Sequence, residues 1–307
     1  MDNFSNIIGF DKEISLIRED IKNDCVSHAY LFSGPSNIGK ALLIKAFSKE
    51  LICGCRKNSN CKICFDIEND VSADFISFKN TEESSIKVDD VREMLKKISL
   101  STNSRAKVVF IEDFERMTNA SSNALLKMLE EAPSKTHFFL SSSDQSQLLE
   151  TVISRTRHFK MKSPSKKISV EFLKNTFPDK TIDEILFAFD FSLERIGKAF
   201  DFLSNEGNYN DHLFYLERVS SLYKSGNIAE SFLFIEKILS DKDNAKDNIK
   251  KLRIALSYFF RQKLNSVLDE EKIFAVKILS KIPRDAILLR RNINARLLLE
   301  NLFLLIT

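Results

Sequence analysis

The 307-residue chain has no tryptophan, no internal repeat and no low-complexity tract. None of its apolar runs reaches the roughly 18 residues that a membrane-spanning helix requires. Its first ten residues include an acid and lack the basic segment of a secretory signal peptide, so we expect a cytoplasmic protein without a membrane partner. Phenylalanine is abundant, at 26 residues, alongside lysine, asparagine and isoleucine. We interpret this as composition bias and expect the phenylalanines to fill cores rather than to stack on bases.

Neither sign of charge dominates the chain. It carries 46 basic and 43 acidic residues, a net charge of +3. Because an isolated nucleic-acid-binding module is normally clearly basic, this balance argues against that class. A local basic stripe remains compatible with it, since contacts to a groove need only a few lysines and arginines.

The order of helical and strand patterns divides the chain into three parts. Up to residue 164, short apolar strand patterns alternate with helical ones, which predicts a parallel sheet covered by helices on both faces. Residues 165–207 have the pattern of short helices. Residues 208–307 are almost wholly helical in pattern, after a predicted linker at 207–210 and with a predicted break near Pro283.

A phosphate-binding loop motif joins a predicted strand at 30–33 to a predicted helix at 41–51. The sequence GPSNIGKA fits seven of the eight positions of the pattern G-x-x-x-x-G-K-[ST]. The exception is Ala41, which stands where the pattern requires a hydroxyl group that ligates Mg²⁺. A metal ion held at this loop would therefore lose one of its inner ligands.

Three residues of this motif predict contacts to a nucleotide. Backbone N–H groups at Gly34 and Gly39 would surround phosphate oxygens, and Lys40 would add a positive charge. The residues leave three interpretations open: ATP or ADP is bound without efficient hydrolysis, the loop has lost its nucleotide, or the glycines form a turn unrelated to phosphate.

Two acids follow the predicted strand at 107–111. P-loop enzymes place acids at this point to hold Mg²⁺ and to polarise water. Here Glu112 precedes Asp113, the reverse of the usual order, so the reach of each carboxylate differs by one methylene and a water can be misplaced. A working site and a solvated strand end are both compatible with these two residues.

Four of the five cysteines lie between residues 53 and 64. In a reducing compartment such a cluster favours a metal site over disulfide bonds. Cys25 stands alone, and we interpret it as a core residue.

Three further motifs resemble those of one protein family. SHAYLFSG at 27–34, SNALLKMLEEAP at 122–133 and VISRT at 152–156 are similar to the HAYLFSG, NALLKxLEEPP and S-R-C motifs of the gamma/tau and delta-prime subunits of the bacterial DNA polymerase III clamp loader. The similarity runs in order through residues 1–205. A weaker match at 294–302 corresponds to the family's last helix.

The resemblance implies an α/β AAA+ fold with two helical additions. A RecA-like AAA+ domain with a parallel sheet and flanking helices would occupy residues 1–164 and carry a zinc module at 53–64. A small helical lid would follow at 165–207. An all-α collar at 208–307 would join the subunits into a hetero-oligomer.

The resemblance also assigns roles to individual residues. Arg155 corresponds to an arginine finger that acts in trans on the ATP of a neighbouring subunit. The family's structural zinc ligands correspond to Cys53, Cys55, Cys61 and Cys64, although the C-x-C spacing of the first pair departs from the family pattern. Four thiolates suit tetrahedral Zn²⁺.

Within the family, the residues favour the delta-prime type over the motor type. The motor type carries a lid arginine where this chain has Gly197, and it carries Thr where this chain has Ala41. We therefore expect a stator without intrinsic ATPase activity, working with gamma/tau and delta subunits, the sliding clamp and primed DNA. The alternatives are a motor-type (gamma/tau-like) clamp-loader ATPase and a zinc-bearing AAA+ adaptor outside replication.

Overall fold

The computed structural model describes residues 3–54, 61–79, 86–99, 104–131, 133–241, 244–290 and 294–306. The strands are β1 (Ala29–Ser33), β2 (Phe75–Lys79), β3 (Lys107–Glu112), β4 (Thr136–Ser142) and β5 (Arg157–Lys160). The helices are α1 (Asp11–Lys22), α2 (Lys40–Ile52), α3 (Lys62–Glu68), α4 (Val88–Ser99), α5 (Asn119–Glu130), α6 (Glu150–Ile153), α7 (Lys166–Thr176), α8 (Ile182–Phe191), α9 (Ile196–Ser204), α10 (Glu206–Ser225), α11 (Ile228–Ser240), α12 (Ala245–Lys263), α13 (Asp269–Arg290) and α14 (Ala295–Ile306). Within these ranges, no helix has the length and apolar character needed to cross a membrane.

The strands form one parallel sheet in the order β2-β3-β4-β1-β5. In its centre, Leu31 of β1 lies opposite Leu140 of β4. All residues of β1 are buried, as expected for a strand covered by helices on both faces. The predicted parallel α/β sheet with flanking helices is therefore confirmed, as is the helical character of the chain beyond it.

Alternate residues of the strands fill two separate cores. Tyr30 and Phe32 of β1 pack in one cluster with Phe139 and Phe159. Leu31 lies in the other cluster, because successive side chains of a strand point to opposite faces. The largest fully buried side chains are Tyr30 and otherwise phenylalanines, so many phenylalanines fill cores as expected, whereas Phe65 and Phe214 are exposed.

The chain separates into two compact units. The first comprises Met1–Thr176 together with Arg195–Gly197, and the second comprises Phe177–Glu194 together with Lys198–Thr307. In the second unit, α10 packs against α12, α12 against α13 and α11 against α14. The division into three domains stays a prediction.

Several local predictions differ from the structure. Residues 207–210, predicted as a linker, lie within α10. Pro283, predicted to break a helix, lies inside α13. Cys25, interpreted as a core residue, is exposed and its thiol donates to the carbonyl of Asn23 at 3.3 Å. Cys25 lies in the loop between α1 and β1, where the neighbouring Val26 packs against the core in its place.

The second unit contains a half-buried histidine, His212, packed among aromatic rings. The ring of His212 lies 5.2 Å from Phe191 and 5.5 Å from Phe202, between ring centroids. Burial lowers its pKa to about 4, and the Lys251 cation adds to this shift. The carboxylates of Asp247 and Asp211 oppose the shift. The fold therefore favours the neutral imidazole.

We expect the free energy of unfolding to fall as the pH drops from about 6.5 towards 4, because the unfolded chain takes up the proton before the folded chain does. His212→Gln should flatten this part of the pH profile, since an amide does not titrate. Urea unfolding of both proteins at pH 7 and pH 4.5 measures the difference. An equal loss of stability in the variant would show that His212 is not responsible.

Candidate functional site

The nucleotide loop has the strand–loop–helix context that its motif predicts. It leaves the carboxyl end of β1 and ends at Gly39, which precedes α2. Gly39 has φ of 102°, in the left-handed region that favours glycine. Gly34 is held close to β5, since a Cβ there would lie 2.3 Å from the carbonyl oxygen of Met161. Both glycines are thus required by the backbone.

Lys40 turns back onto the loop that it follows. Its Nζ donates to the carbonyl oxygens of Gly34 at 2.7 Å and Pro35 at 2.8 Å, and its side chain is buried. Burial lowers the pKa of Lys40, while Asp113 and two neighbouring carboxylates oppose that shift. The next residue, Ala41, packs against the core and offers no oxygen to a metal ion.

The segment Arg195–Gly197, distant in sequence, is hydrogen-bonded to the same loop. Arg195 Nη1 donates to the hydroxyl of Ser36 at 2.9 Å. The amide of Gly197 donates to the carbonyl of Asn37 at 2.8 Å. A Cβ on Gly197 would lie 2.9 Å from that carbonyl oxygen, so a side chain there would push the backbone away from the loop.

The position of the expected lid arginine is therefore occupied by a backbone that touches the nucleotide loop. The sequence motif identified the missing side chain at Gly197, but it could not identify this contact. Arg195, two residues before Gly197, lies at the loop and donates to Ser36.

The acids at the end of β3 and just after it lie close to neighbouring polar and charged groups. Asp113 has φ of 49° and pairs with Arg116 at 3.4 Å. Glu115 Oε1 accepts bonds from the amide of Ser143 at 3.0 Å and from its hydroxyl at 2.5 Å. Burial raises the pKa of Glu112, and the Lys79 cation opposes the rise. The carboxylates of Glu112 and Asp113 thus lie near Lys40. Glu115 is held by Ser143, which directly follows β4.

Arg155 lies just after α6 on the surface of the first unit. Its Nε donates to Glu130 Oε1 at 2.7 Å, and its Nη2 lies 2.5 Å from the same oxygen. Its Nη1 donates to the carbonyl of Thr151 at 3.1 Å. The side chains of Arg155 and Glu130 are 38% and 49% exposed, so the guanidinium is accessible from outside the chain.

Three of the four predicted zinc ligands converge. Cys53 follows α2, Cys61 precedes α3 and Cys64 lies within α3, and their sulfur atoms all lie within 4.8 Å of one another. Thiolates that share one Zn²⁺ at about 2.3 Å must lie closer together than twice that distance. The three sulfur atoms are near enough to meet this condition after small shifts of their side chains. Cys55 lies outside the described residues.

A sequence model of the family described as "DNA polymerase III, delta subunit" matches residues 10–165, just over half of the chain. The chain belongs to the DNA polymerase III clamp-loader family. The matched segment contains the nucleotide loop, the acids, the cysteines and Arg155 of this clamp-loader protein.

Relatives of this clamp-loader protein include gamma, tau/gamma and delta' subunits. DNA polymerase III subunit gamma of Buchnera aphidicola subsp. Schizaphis graminum is 29% identical over 258 residues, which are 79% of this chain and 69% of that protein. Subunit tau/gamma of Haemophilus influenzae is 33% identical over 52% of this chain and 24% of its own length. Subunit delta' of the same organism is 30% identical over 48% of this chain and 46% of its own length.

A solved structure of a DNA polymerase III gamma subunit-related protein from Thermotoga maritima aligns with 95% of this chain and 97% of its own, at 18% identity and a TM-score of 0.48. Family membership agrees with the AAA+ class that the sequence predicts for the α/β sheet and its helical continuation.

Proposed function

We propose that this chain is a delta-prime-type stator of the DNA polymerase III clamp loader. It helps to load the sliding clamp onto primed DNA, and it supplies Arg155 in trans to the ATP site of a neighbouring subunit. The observation that carries the proposal is the nucleotide loop, whose lysine and backbone are bonded within the chain while Arg155 is exposed.

The contacts of the loop support the absence of hydrolysis. Lys40 would have to leave two carbonyl oxygens to reach a phosphate. Ala41 provides no ligand for Mg²⁺, and Gly197 places a backbone where the motor type has an arginine. ATP or ADP binding requires these bonds to be exchanged, so we propose weak binding or none.

Zinc would have a structural role in this protein. Cys53, Cys61 and Cys64, with Cys55 as the fourth thiolate, would surround a tetrahedral Zn²⁺ without an open position. The ion would link the end of α2 to the start of α3, because ligands lie in both.

The helices assigned to the collar expose apolar side chains that suit an assembly. Ile273 and Val276 lie on one face of α13 and are exposed, as is Leu233 on α11. We propose that the collar at 208–307 joins gamma/tau and delta subunits, and that the lid at 165–207 connects it to the AAA+ domain.

The alternative is a motor-type clamp-loader ATPase. The gamma relatives and the retained Gly34, Gly39 and Lys40 favour it. Glu112 and Asp113 would then hold Mg²⁺, with Lys40 on the phosphates.

Hydrolysis by the purified chain separates the two proposals. We expect no turnover above background with ATP and Mg²⁺, because several transition-state contacts are missing at once. Ala41→Thr should not restore activity, since Lys40, Asp113 and Glu115 keep their own partners. Phosphate release measures this, with Lys40→Ala as the control. A turnover that Lys40→Ala abolishes would establish the motor alternative.

A further inference from the structure

Glu130 holds the side chain of Arg155 in one orientation. A single carboxylate oxygen, Oε1, faces both Nε and Nη2, and the carbonyl of Thr151 accepts from Nη1. A guanidinium has five N–H donors in a rigid fork, so these three contacts leave two for another acceptor. The arginine is thus fixed along one edge and still able to bind a phosphate oxygen.

Helix stability does not explain a carboxylate at position 130. Glu130 is the last residue of α5, where the carbonyl ends of a helix make a negative charge unfavourable. The contact that compensates for this placement is the one to Arg155, 25 residues further along the chain. The position of Glu130 therefore fits a role in orienting the arginine.

The exposure of the pair keeps the arginine available. Both side chains are more than a third exposed, and ion pairs of this kind are readily exchanged with water or with another anion. A buried partner would instead hold the guanidinium away from a neighbouring subunit. Glu130 can therefore order Arg155 without removing it from the surface.

We propose that Glu130 is a positioning residue for the arginine finger. This inference rests on the proposed function of Arg155 as a residue that contacts ATP in trans. A long side chain that is already ordered loses less conformational freedom when it contacts the phosphates. Glu130 acts only through Arg155 and does not itself touch ATP.

The test uses the clamp loader reconstituted from this chain and its partner subunits, with DNA-stimulated ATP hydrolysis as the readout. Glu130→Ala should lower kcat about 2- to 10-fold, the effect of freeing one side chain, and leave the KM for ATP unchanged. Glu130→Gln should retain most of the activity, because its amide oxygen still accepts a bond. Glu131→Ala, which removes the same charge from the exposed neighbouring position, should have no effect.

A double mutant separates this inference from the function on which it rests. In an Arg155→Ala background, Glu130→Ala should cause no further loss. Two results would overturn the inference alone. In the first, ATP hydrolysis slows in the Arg155→Ala complex but stays unchanged or rises in the Glu130→Ala complex. In the second, Glu130→Ala lowers the rate equally in the wild-type and the Arg155→Ala backgrounds. An unaffected Arg155→Ala complex would overturn the proposed function and the inference together.

The chain by itself provides a second readout. The NMR signal of the Arg155 Nε–H should exchange with water more slowly in the wild type than in Glu130→Ala, while thermal unfolding stays unchanged. An identical signal in wild type and variant would contradict the positioning role.

Discussion

Replacing Arg155 with alanine should slow hydrolysis at the neighbouring subunit's ATP site by about 10³-fold or more, the range that arginine fingers provide in other P-loop systems. The guanidinium remains charged and presents a planar fork, so it can stabilise charge on phosphate oxygens that an alanine leaves uncompensated. Arg155→Lys should recover little, because an ammonium keeps the charge without the fork.

The fold and the assembly should tolerate the change. Arg155 lies on the surface and pairs with a half-exposed Glu130, and exposed ion pairs contribute only about 0–1 kcal/mol to stability. The proposed collar helices lie elsewhere in the chain, so Arg155→Ala should still co-purify with its partners.

Rapid-quench measurement of ATP hydrolysis by the reconstituted complex, with clamp loading in parallel, tests this prediction. Lys40→Ala in this chain is the matched control, since it removes a cation from the chain's own nucleotide loop. We expect the control to be nearly silent. A complex that tolerates Arg155→Ala and fails with Lys40→Ala would reverse the assignment and make this chain a motor.

The sheet could be predicted from the sequence because its signal is local. β1 and β3 contain continuous apolar runs at 29–32 and 108–111, and strands buried on both faces have this composition. By contrast, β5 has the sequence Arg-His-Phe-Lys and pairs with β1 alone at the edge of the sheet. Its charged residues interrupt the apolar pattern from which a strand is predicted. Within α13, Pro283 follows buried Ile282, so packing of the helix offsets the cost of about 3 kcal/mol that a proline imposes inside a helix.

The site could be predicted as a set of residues but not as a set of contacts. The motif identified Lys40 and Ala41, but the carbonyl partners of Lys40 depend on how the loop folds. The contact between Gly197 and Asn37 joins residues 160 positions apart, and no local pattern encodes it. Glu130 was part of a recognised motif, yet its role depends on where α6 places Arg155.

Loss of zinc should destabilise the zinc module at 53–64 more than any other part of the first unit. We expect about one zinc per chain, and Cys61→Ser should abolish most of this binding because one of few thiolates is removed. A metal present at 1,000 times its dissociation constant contributes about 4 kcal/mol, and chelation should therefore lower the melting temperature by about 10 °C. Hydrogen exchange should rise in Lys62–Glu68 before it rises in the nucleotide loop.

The exposed Cys25 offers a matched control for this experiment. Cys25→Ser removes a thiol that lies away from the cluster, so zinc content and melting temperature should not change. The two variants together separate a specific metal site from a general effect of thiol loss, because Cys61 belongs to the cluster and Cys25 does not. The sulfur atom of Cys61 lies 3.2 Å from that of Cys53. A wild-type chain purified without chelator that is free of metal, folded and unaffected by added zinc would contradict the proposed site.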